Sequence, residues 1–127
     1  MDFYSFEKLL VYQEARNLVV SVYKLAKRFP NDERFGLTAQ LRRAIVSVPS
    51  NLAEGSGRVS VREKIHFLGI AFGSLMEAFC QLQIATDLGY ITEAEFDCLR
   101  TKFLSVSRLI NGLTASFKKK IDFSIIP

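Results

Sequence analysis

Residues 60–89 read SVREKIHFLGIAFGSLMEAFCQLQIATDLG, and this stretch carries the start, the body and the end of one long helix. Ser60 followed by Glu63 three residues later forms a capping box, in which each side chain bonds the backbone amide of the other residue. Apolar residues then recur every three or four positions, which is the period of an amphipathic helix. Gly89 is the kind of residue at which helices commonly end. The stretch therefore predicts a helix that runs to about residue 88.

The same apolar period predicts three further helices, two before this one and one after it. Apolar spacing predicts one helix over residues 6–29 and another that opens with Thr38 and stops at the glycines 55 and 57. Thr92 and Glu95 then repeat the capping box, and the last helix runs out at the lysines 118–120. Because short connections make neighbouring helices antiparallel, the sequence predicts an all-α, up-down-up-down four-helix bundle in a single domain over residues 1–127.

The predicted helices carry more apolar surface than one bundle core uses. A helix in a four-helix bundle buries about one apolar stripe, and several large side chains lie off that stripe. A surplus of this kind predicts self-association as a closed cyclic homo-oligomer. The off-stripe residues are Ile70, Met76 and Ile84 in the third helix and Leu10, Val11, Leu18 and Val20 in the first.

The composition predicts a soluble protein of the cytoplasm. The first residues, MDFYSFEKLL, lack the basic and apolar segments of a signal peptide, and no run approaches the roughly 18 uninterrupted apolar residues of a membrane span. No membrane partner is therefore expected. Cys80 and Cys98 lie inside apolar helical patterns without CxxC spacing, which predicts two buried, reduced thiols.

A line of polar residues follows the second helix beside its apolar stripe. Its members are three or four positions apart, so they share one helix face, and the third helix has a similar line. Short Ser, Asn and Gln side chains are typical of hydrogen bonds between helices, which favours a structural polar seam. A wall that binds a ligand and a plain solvent face are the alternatives. The predicted polar seam consists of Gln40, Ser47, Asn51, Glu54, Glu77 and Gln81.

Two arginines on the same side of the second helix are candidates for an ion pair. Arg43 or Arg58 is expected to pair with a carboxylate across the second and third helices, and Arg43 is expected to support folding. Removing one partner of a buried pair leaves the other charge uncompensated, so Glu54→Ala is expected to cost about 2 to 4 kcal/mol of stability.

The sequence offers no catalytic residue, metal site or cofactor site. Gly55-Ser56-Gly57 follows no strand and lacks the lysine of a phosphate-binding loop. Glu63 and His66 have the Glu-x-x-His spacing of di-metal bundles, but such a site needs a second pair and the chain has one histidine. Neither cysteine is near that histidine in the sequence. We therefore expect a protein that is not an enzyme and that uses no cofactor.

Charge is distributed unevenly along the chain. The net charge is +4, residues 34–76 and 100–120 are mainly basic, and residues 77–99 carry only acidic charges. A basic surface binds nucleic acid through its phosphates and releases condensed counterions, although a basic isoelectric point alone is common among proteins that bind none. The candidate nucleic-acid-binding residues are Arg42, Arg43, Arg58, Arg62, Lys64, Lys118, Lys119 and Lys120.

Several motifs resemble those of a known bacterial family. They are FGLT at 35–38, QLRRA at 40–44, NLAEG at 51–55, GSLME at 73–77 and LGYI at 88–91. With the runs around them, they resemble the four-helix-bundle family known from intervening sequences inside 23S ribosomal RNA genes. The resemblance covers nearly the whole chain.

That resemblance implies an assembly and a class of partner. Relatives of the family include the accessory variability protein of diversity-generating retroelements, which is a pentameric barrel of four-helix bundles whose basic surface binds nucleic acid and a reverse transcriptase. By resemblance, this chain would be a homopentamer. The family's ribosomal-insert proteins supply no established activity.

Two hypotheses about function follow. The first is a non-enzymatic, oligomeric bundle that binds nucleic acid through phosphate contacts without base specificity, with RNA as the expected ligand. In this hypothesis Arg42 faces the ligand and contributes little to folding. The alternative is an oligomeric scaffold that docks a partner protein such as a reverse transcriptase.

Overall fold

The structure, a computed structural model, describes the backbone of residues 4–125 and the side chains of residues 4–121. Within this range the chain forms four α-helices and no strand, which confirms the all-α prediction. We name them α1 (Leu10–Ala26), α2 (Leu37–Ser56), α3 (Val61–Asp87) and α4 (Glu93–Ile125). Short 3-10 helices at Ser5–Lys8 and Asn31–Glu33 precede α1 and α2. The outermost residues of the predicted domain, 1–3 and 126–127, lie outside the described residues.

The four helices pack around one apolar core. Helix α1 contacts α2 and α4, and helix α3 also contacts α2 and α4. Burying one large aliphatic side chain contributes about 1.5 to 3 kcal/mol of transfer free energy, so the shared core is what holds the helices together. Its fully buried centre includes Leu18 from α1, Leu41 and Ile45 from α2, Leu75 and Leu82 from α3, and Ile110 from α4.

The predicted first helix is divided, so the prediction of one continuous helix over residues 6–29 is wrong. Leu9 has φ −66° and ψ 127°, an extended conformation that separates the N-terminal 3-10 helix from α1. Within that 3-10 helix, the Tyr4 amide donates a hydrogen bond to Glu7 Oε2 at 2.8 Å. Helix α1 ends at Ala26, and the chain then turns so that Phe29 enters the core without being helical.

Helix α1 also presents a different face to the core than the sequence predicts. Val11 and Leu18, which were assigned to the surplus surface, are buried in the core. Leu9, at the break before α1, is 37% exposed. Because α1 begins after the break at Leu9, its rotation is set by packing against α2 and α4 rather than by the pattern at its start.

Helices α3 and α4 begin at the predicted caps. The Glu63 amide donates to Ser60 Oγ at 3.3 Å. At α4 the capping box is complete, because the Glu95 amide donates to Thr92 Oγ1 at 3.1 Å and the Thr92 amide donates to Glu95 Oε1 at 2.9 Å. Gly89 has a φ of 78°, a left-handed conformation that favours glycine, and it follows the end of α3 as predicted.

Helix α2 begins without the predicted threonine cap. Thr38 is buried inside the first turn, and Gly36 occupies the position before the helix. The cap comes from the preceding 3-10 helix, where Glu33 Oε1 accepts a hydrogen bond from the Leu37 amide at 3.3 Å. The other carboxylate oxygen of Glu33 accepts one from the Tyr90 hydroxyl at 2.8 Å. A single carboxylate therefore ties the start of α2 to the α3–α4 connection.

Helices α2 and α3 approach each other closely near the end of α2. A Cβ atom placed on Gly55 would lie 2.8 Å from Cβ of Phe67, which is too close for two side-chain carbons. The absence of a side chain at Gly55 therefore allows the two helices to meet here.

Large apolar side chains also lie on the outside of this single chain. Ile70, Met76 and Ile84 of α3 are between 38% and 42% exposed, and Leu10 and Val20 of α1 are more than half exposed. By length and composition α3 is apolar enough to cross a membrane, a test that core helices of soluble proteins also pass. Only 33% of its most apolar 18-residue window is buried, and Ile70, Met76 and Ile84 form an apolar outer surface of α3.

The two cysteines are not buried. Cys80 on α3 and Cys98 on α4 are free and exposed, so the prediction of buried thiols is wrong. Both residues fit an apolar period in the sequence, but each lies on the outer side of its helix.

Candidate nucleic-acid interface

A cavity shows which parts of the chain meet near the predicted basic residues. It is lined by Ser56 at the end of α2, Lys64 near the start of α3, and Leu113 and Phe117 late in α4. Two predicted arginines precede Lys64 in the sequence, and three predicted lysines directly follow Phe117. Lys64 lines the cavity, and five further predicted residues lie within three positions in the sequence of a lining residue. We call these six residues the basic cluster: Arg58, Arg62, Lys64, Lys118, Lys119 and Lys120.

Arg58 is held by two neighbours. Its Nη2 donates to Glu54 Oε1 at 2.9 Å, one helical turn earlier. Its guanidinium also lies over the ring of Phe67, 4.8 Å from the ring centroid. These contacts orient the arginine while its side chain remains 42% exposed, so it can still contact a ligand.

Lys64 lies at the junction of α2 and α3. Its ammonium donates to the carbonyl oxygen of Ser56 at 3.0 Å, near the carboxyl end of α2 where backbone carbonyls lack helical partners. An ammonium has three donors, and this is the one acceptor within reach among the described residues. Lys64 is half-buried and lines the cavity.

The remaining members of the basic cluster extend into solvent. Arg62 and Lys118–Lys120 are exposed, and no described carboxylate forms an ion pair with them or with Lys64. The Lys120 ammonium lies 5.2 Å from the centroid of the Phe117 ring. Apart from Arg58, the basic cluster therefore carries positive charge that no ion pair in the described chain neutralises.

The structure reverses the expected roles of Arg42 and Arg43. The Arg42 guanidinium lies 5.0 Å from the centroid of the Tyr23 ring on α1, and its Nε is buried without a hydrogen-bond partner. Arg43, which was expected to support folding, is exposed and forms no ion pair within the described residues. Consecutive residues on a helix point about 100° apart, so the rotation of α2 decides which of the two faces α1.

The middle of the predicted polar seam does join two helices. Ser74 Oγ of α3 and Ser47 Oγ of α2 are hydrogen bonded at 2.9 Å. The side-chain amide nitrogen of Asn51 donates to Ser47 Oγ and to the Ser47 carbonyl oxygen, both at 2.8 Å. These half-buried groups form a small polar network between α2 and α3.

The ends of the polar seam do not cross between helices. Gln40 and Glu54 are exposed, and the arginine that pairs with Glu54 is Arg58 on the same segment, so the expected pair across helices is wrong. Gln81 is buried and its amide nitrogen donates to Glu77 Oε1 at 3.3 Å along α3, while Gln81 Oε1 has no partner among the described residues. An exposed pair on one helix contributes about 0.5 kcal/mol or less, so the expected loss for Glu54→Ala is too large.

Aromatic residues beside the basic cluster were not singled out from the sequence. Phe67 and Phe117 fit the apolar stripes of their helices, and a stripe does not show which of its members lies at the edge of the core. Both are half-buried, and each lies against a basic side chain. Phe117 directly precedes three lysines, and Phe67 follows Arg62 and Lys64. This nearness to basic residues is the sequence signal that could have indicated them.

The part of the chain that the structure describes holds no group of three or more His, Cys, Asp or Glu side chains placed to bind a metal ion. His66 is exposed and its ring lies edge-on to Phe67, with centroids 5.5 Å apart. The Glu63–His66 pair therefore has no third ligand among these residues.

Comparisons with known proteins identify related chains. The sequence model of the 23S rRNA-intervening sequence protein family matches residues 7–112. A crystal structure of a protein of unknown function from the S23 ribosomal protein family of Bacteroides thetaiotaomicron is also similar. The two chains share 21% sequence identity with a TM-score of 0.76, and the match covers 83% of this chain and 98% of that one, which shows a common fold. No curated protein matches the sequence significantly.

Proposed function

The chain belongs to the 23S rRNA-intervening sequence protein family, and on that premise we propose that it binds RNA through the basic cluster without catalysing a reaction. One observation carries the proposal. Lys64 near the start of α3 lines the same cavity as Phe117 late in α4, and Lys118, Lys119 and Lys120 directly follow Phe117 in the sequence. Among the described residues Arg58 alone of the basic cluster forms an ion pair, so the remaining positive charge would attract a polyanion.

The chemistry of the basic cluster favours phosphate contacts over base readout. Its lysines are long, exposed side chains that can follow a flexible backbone, and lysine contacts a phosphate as a point charge. Specific base readout needs side chains fixed toward base edges, and phosphate contacts carry no sequence information of their own. The proposed binding is therefore salt-dependent and largely independent of sequence.

We also propose the antiparallel, up-down-up-down arrangement of a four-helix bundle. Its support is the order of contacts between α1 and α4, where Glu14 meets Ser105, Ser21 meets Lys102, and Arg28 meets Glu95. As the residue number rises on α1, that of its partner on α4 falls. This arrangement would place the end of α2, the start of α3 and the end of α4 together.

The proposed assembly is a cyclic homo-oligomer in the cytoplasm, with five subunits by the family resemblance. Its support within the chain is the apolar outer face of α3 and a groove of about 490 Å³ between α3 and α4, lined by Met76, Phe79, Phe103 and Leu104. Repeating the basic cluster around a ring would multiply weak phosphate contacts on one RNA.

The alternative function is an oligomeric scaffold that docks a partner protein such as a reverse transcriptase. It is favoured by Phe35 on the α1–α2 connection, which is 89% exposed and lies beside Arg34, whose guanidinium is 5.3 Å from the ring centroid. Aromatic and arginine side chains are enriched among the residues that dominate protein interfaces. The link to retroelements is a proposal that rests on the resemblance alone.

The test is a fluorescence anisotropy titration with single-stranded RNA at two salt concentrations. We expect affinity to fall steeply with salt, with a logarithmic slope of about −0.7 for each phosphate contact. Replacing Lys118, Lys119 and Lys120 by Gln should weaken binding and flatten this slope, because those contacts are lost.

A matched variant controls for net charge. Replacing the exposed residues Lys24, Lys27 and Arg34 by Gln removes the same charge away from the basic cluster, and it should leave the slope nearly unchanged. If both variants lose binding equally, the basic cluster is not the contact surface. If no RNA or DNA binds at low salt, the protein-docking scaffold is the better explanation.

A further inference from the structure

The cavity beside the basic cluster has apolar walls. Its volume is about 180 Å³, and apolar residues from all four helices line it: Val11, Leu52, Leu68, Leu113 and Phe117. An apolar cavity of about 150 Å³ in another protein holds one benzene molecule. A group of single-ring size therefore fits this cavity more readily than a fused double ring.

Polar groups in the same wall would recognise the edge of such a ring. Lys64 lines the cavity with an ammonium that uses one acceptor, the Ser56 carbonyl, and has donors to spare. Asn51 also lines it, and its amide nitrogen is committed to Ser47. No described donor reaches the Asn51 carbonyl oxygen, which is therefore an available acceptor. The cavity thus offers a cationic donor and a neutral acceptor.

These features match a pyrimidine, the single-ring class of RNA base. Uracil is a single ring whose pairing edge has a carbonyl, an N–H and a second carbonyl in sequence, so it can accept from an ammonium and donate to an amide oxygen. Resting on the proposed RNA binding, we propose that the cavity takes up one unstacked uracil of single-stranded RNA while the surrounding lysines and arginines hold its backbone. Recognition of unstacked bases on single strands is the usual way in which proteins read RNA.

The base would enter past the N-terminal 3-10 helix. Ser5 and Leu9 line the cavity and are both exposed, so the cavity borders solvent on this side. Ser5 lies in the 3-10 helix and Leu9 in the extended break before α1. The break in the first helix therefore forms one edge of the opening.

The experiment compares labelled oligouridine and oligoadenosine 12-mers by anisotropy on the full chain. We expect wild-type protein to bind the uridine oligomer about fivefold or more tightly, since one stacked base is worth about 1 to 3 kcal/mol. Ser5→Trp should obstruct the opening and Leu113→Phe should fill the cavity from α4. Either variant should remove the preference for uridine while phosphate contacts keep both oligomers bound.

The control is Ser116→Trp, which adds the same side chain at an exposed position of α4 that does not line the cavity, and it should keep the preference. Circular dichroism melts identify any variant that fails to fold. If one cavity variant does not fold, the binding preference of the other cavity variant tests the site. Two outcomes would overturn the uracil site and leave RNA binding intact. In the first, wild-type protein binds both oligomers equally, and in the second, the preference for uridine survives in both cavity variants. Failure of both oligomers to bind at low salt would overturn the proposed function and the uracil site together.

Discussion

Arg42 and Arg43 are neighbours in the sequence with opposite surroundings in the fold. Arg42→Ala should lower the free energy of unfolding by about 1 kcal/mol, because it removes the cation that lies over the Tyr23 ring. Arg43→Ala should change it by about 0.5 kcal/mol or less, as is usual at exposed sites. Urea denaturation of the two variants measures both values. A larger loss for Arg43→Ala would show that the rotation of α2 is misassigned.

Tyr90 makes stability depend on pH in alkaline solution. Its hydrogen bond to Glu33 raises the pKa of the Tyr90 hydroxyl above its usual value, and burial and the charges of Glu33 and Asp32 act in the same direction. The folded state therefore holds this proton more tightly than the unfolded state. The stabilisation is complete below the unfolded pKa of about 10 and is lost as pH rises through the folded pKa.

Tyr90→Phe tests this linkage. The variant should be less stable than wild type at pH 8, and the difference should shrink as the pH is raised above about 10. Urea midpoints of both proteins over this range give the comparison. Parallel midpoint curves would contradict the role of the Tyr90 hydroxyl.

At the level of helices, Gly55 sets how closely α2 and α3 pack. Gly55→Ala places a methyl group against Cβ of Phe67, so the helices must separate, and stability should fall by about 1 to 3 kcal/mol. Gly112→Ala is the matched control, because Gly112 lies inside α4 with open space around it. That substitution should raise stability by about 0.5 to 1 kcal/mol through helix propensity. Thermal melts that show the same sign for both variants would refute the close approach.

The helices were predictable because their signals are local. Ser60 and Thr92 cap the residues that follow them, and Gly89 adopts a left-handed conformation within its own turn. The division at Leu9 and the capping of α2 by Glu33 were not predictable in this way. The division and the cap both depend on how a connecting segment packs against other helices. The apolar period of a helix carries no information about the packing of the connecting segments.

At the scale of the whole molecule, the groove between α3 and α4 should be covered by another copy. We expect light scattering at micromolar concentration to give a multiple of the 14.4 kDa chain mass, with five subunits by family resemblance. Leu104 lines the groove and is 48% exposed, so Leu104→Glu should place a charge in the contact and lower the mass. Asn111→Glu adds the same charge elsewhere on α4 and should not. A monomer mass for wild type would exclude the assembly.

The candidate site was predictable only in part. Charge along the sequence indicated the residues of the basic cluster, because a run such as Lys118–Lys120 is exposed in almost any fold. The cavity was not indicated, since Asn51, Lys64 and Phe117 meet only after α2, α3 and α4 have packed. From the sequence pattern, Asn51 belongs to the polar seam, Lys64 to the charged surface and Phe117 to an apolar stripe. Nothing in the linear sequence indicates that these three residues meet.

The outer apolar face of α3 has a consequence for the life of the newly made chain. With two thirds of its most apolar window unburied, a lone subunit presents the kind of surface that chaperones and proteases recognise. If the chain forms the proposed assembly, copies made in excess of their neighbours would be cleared, and copies that find neighbours would be spared. The cellular level of the protein would then follow the rate at which subunits meet more closely than the rate at which they are translated.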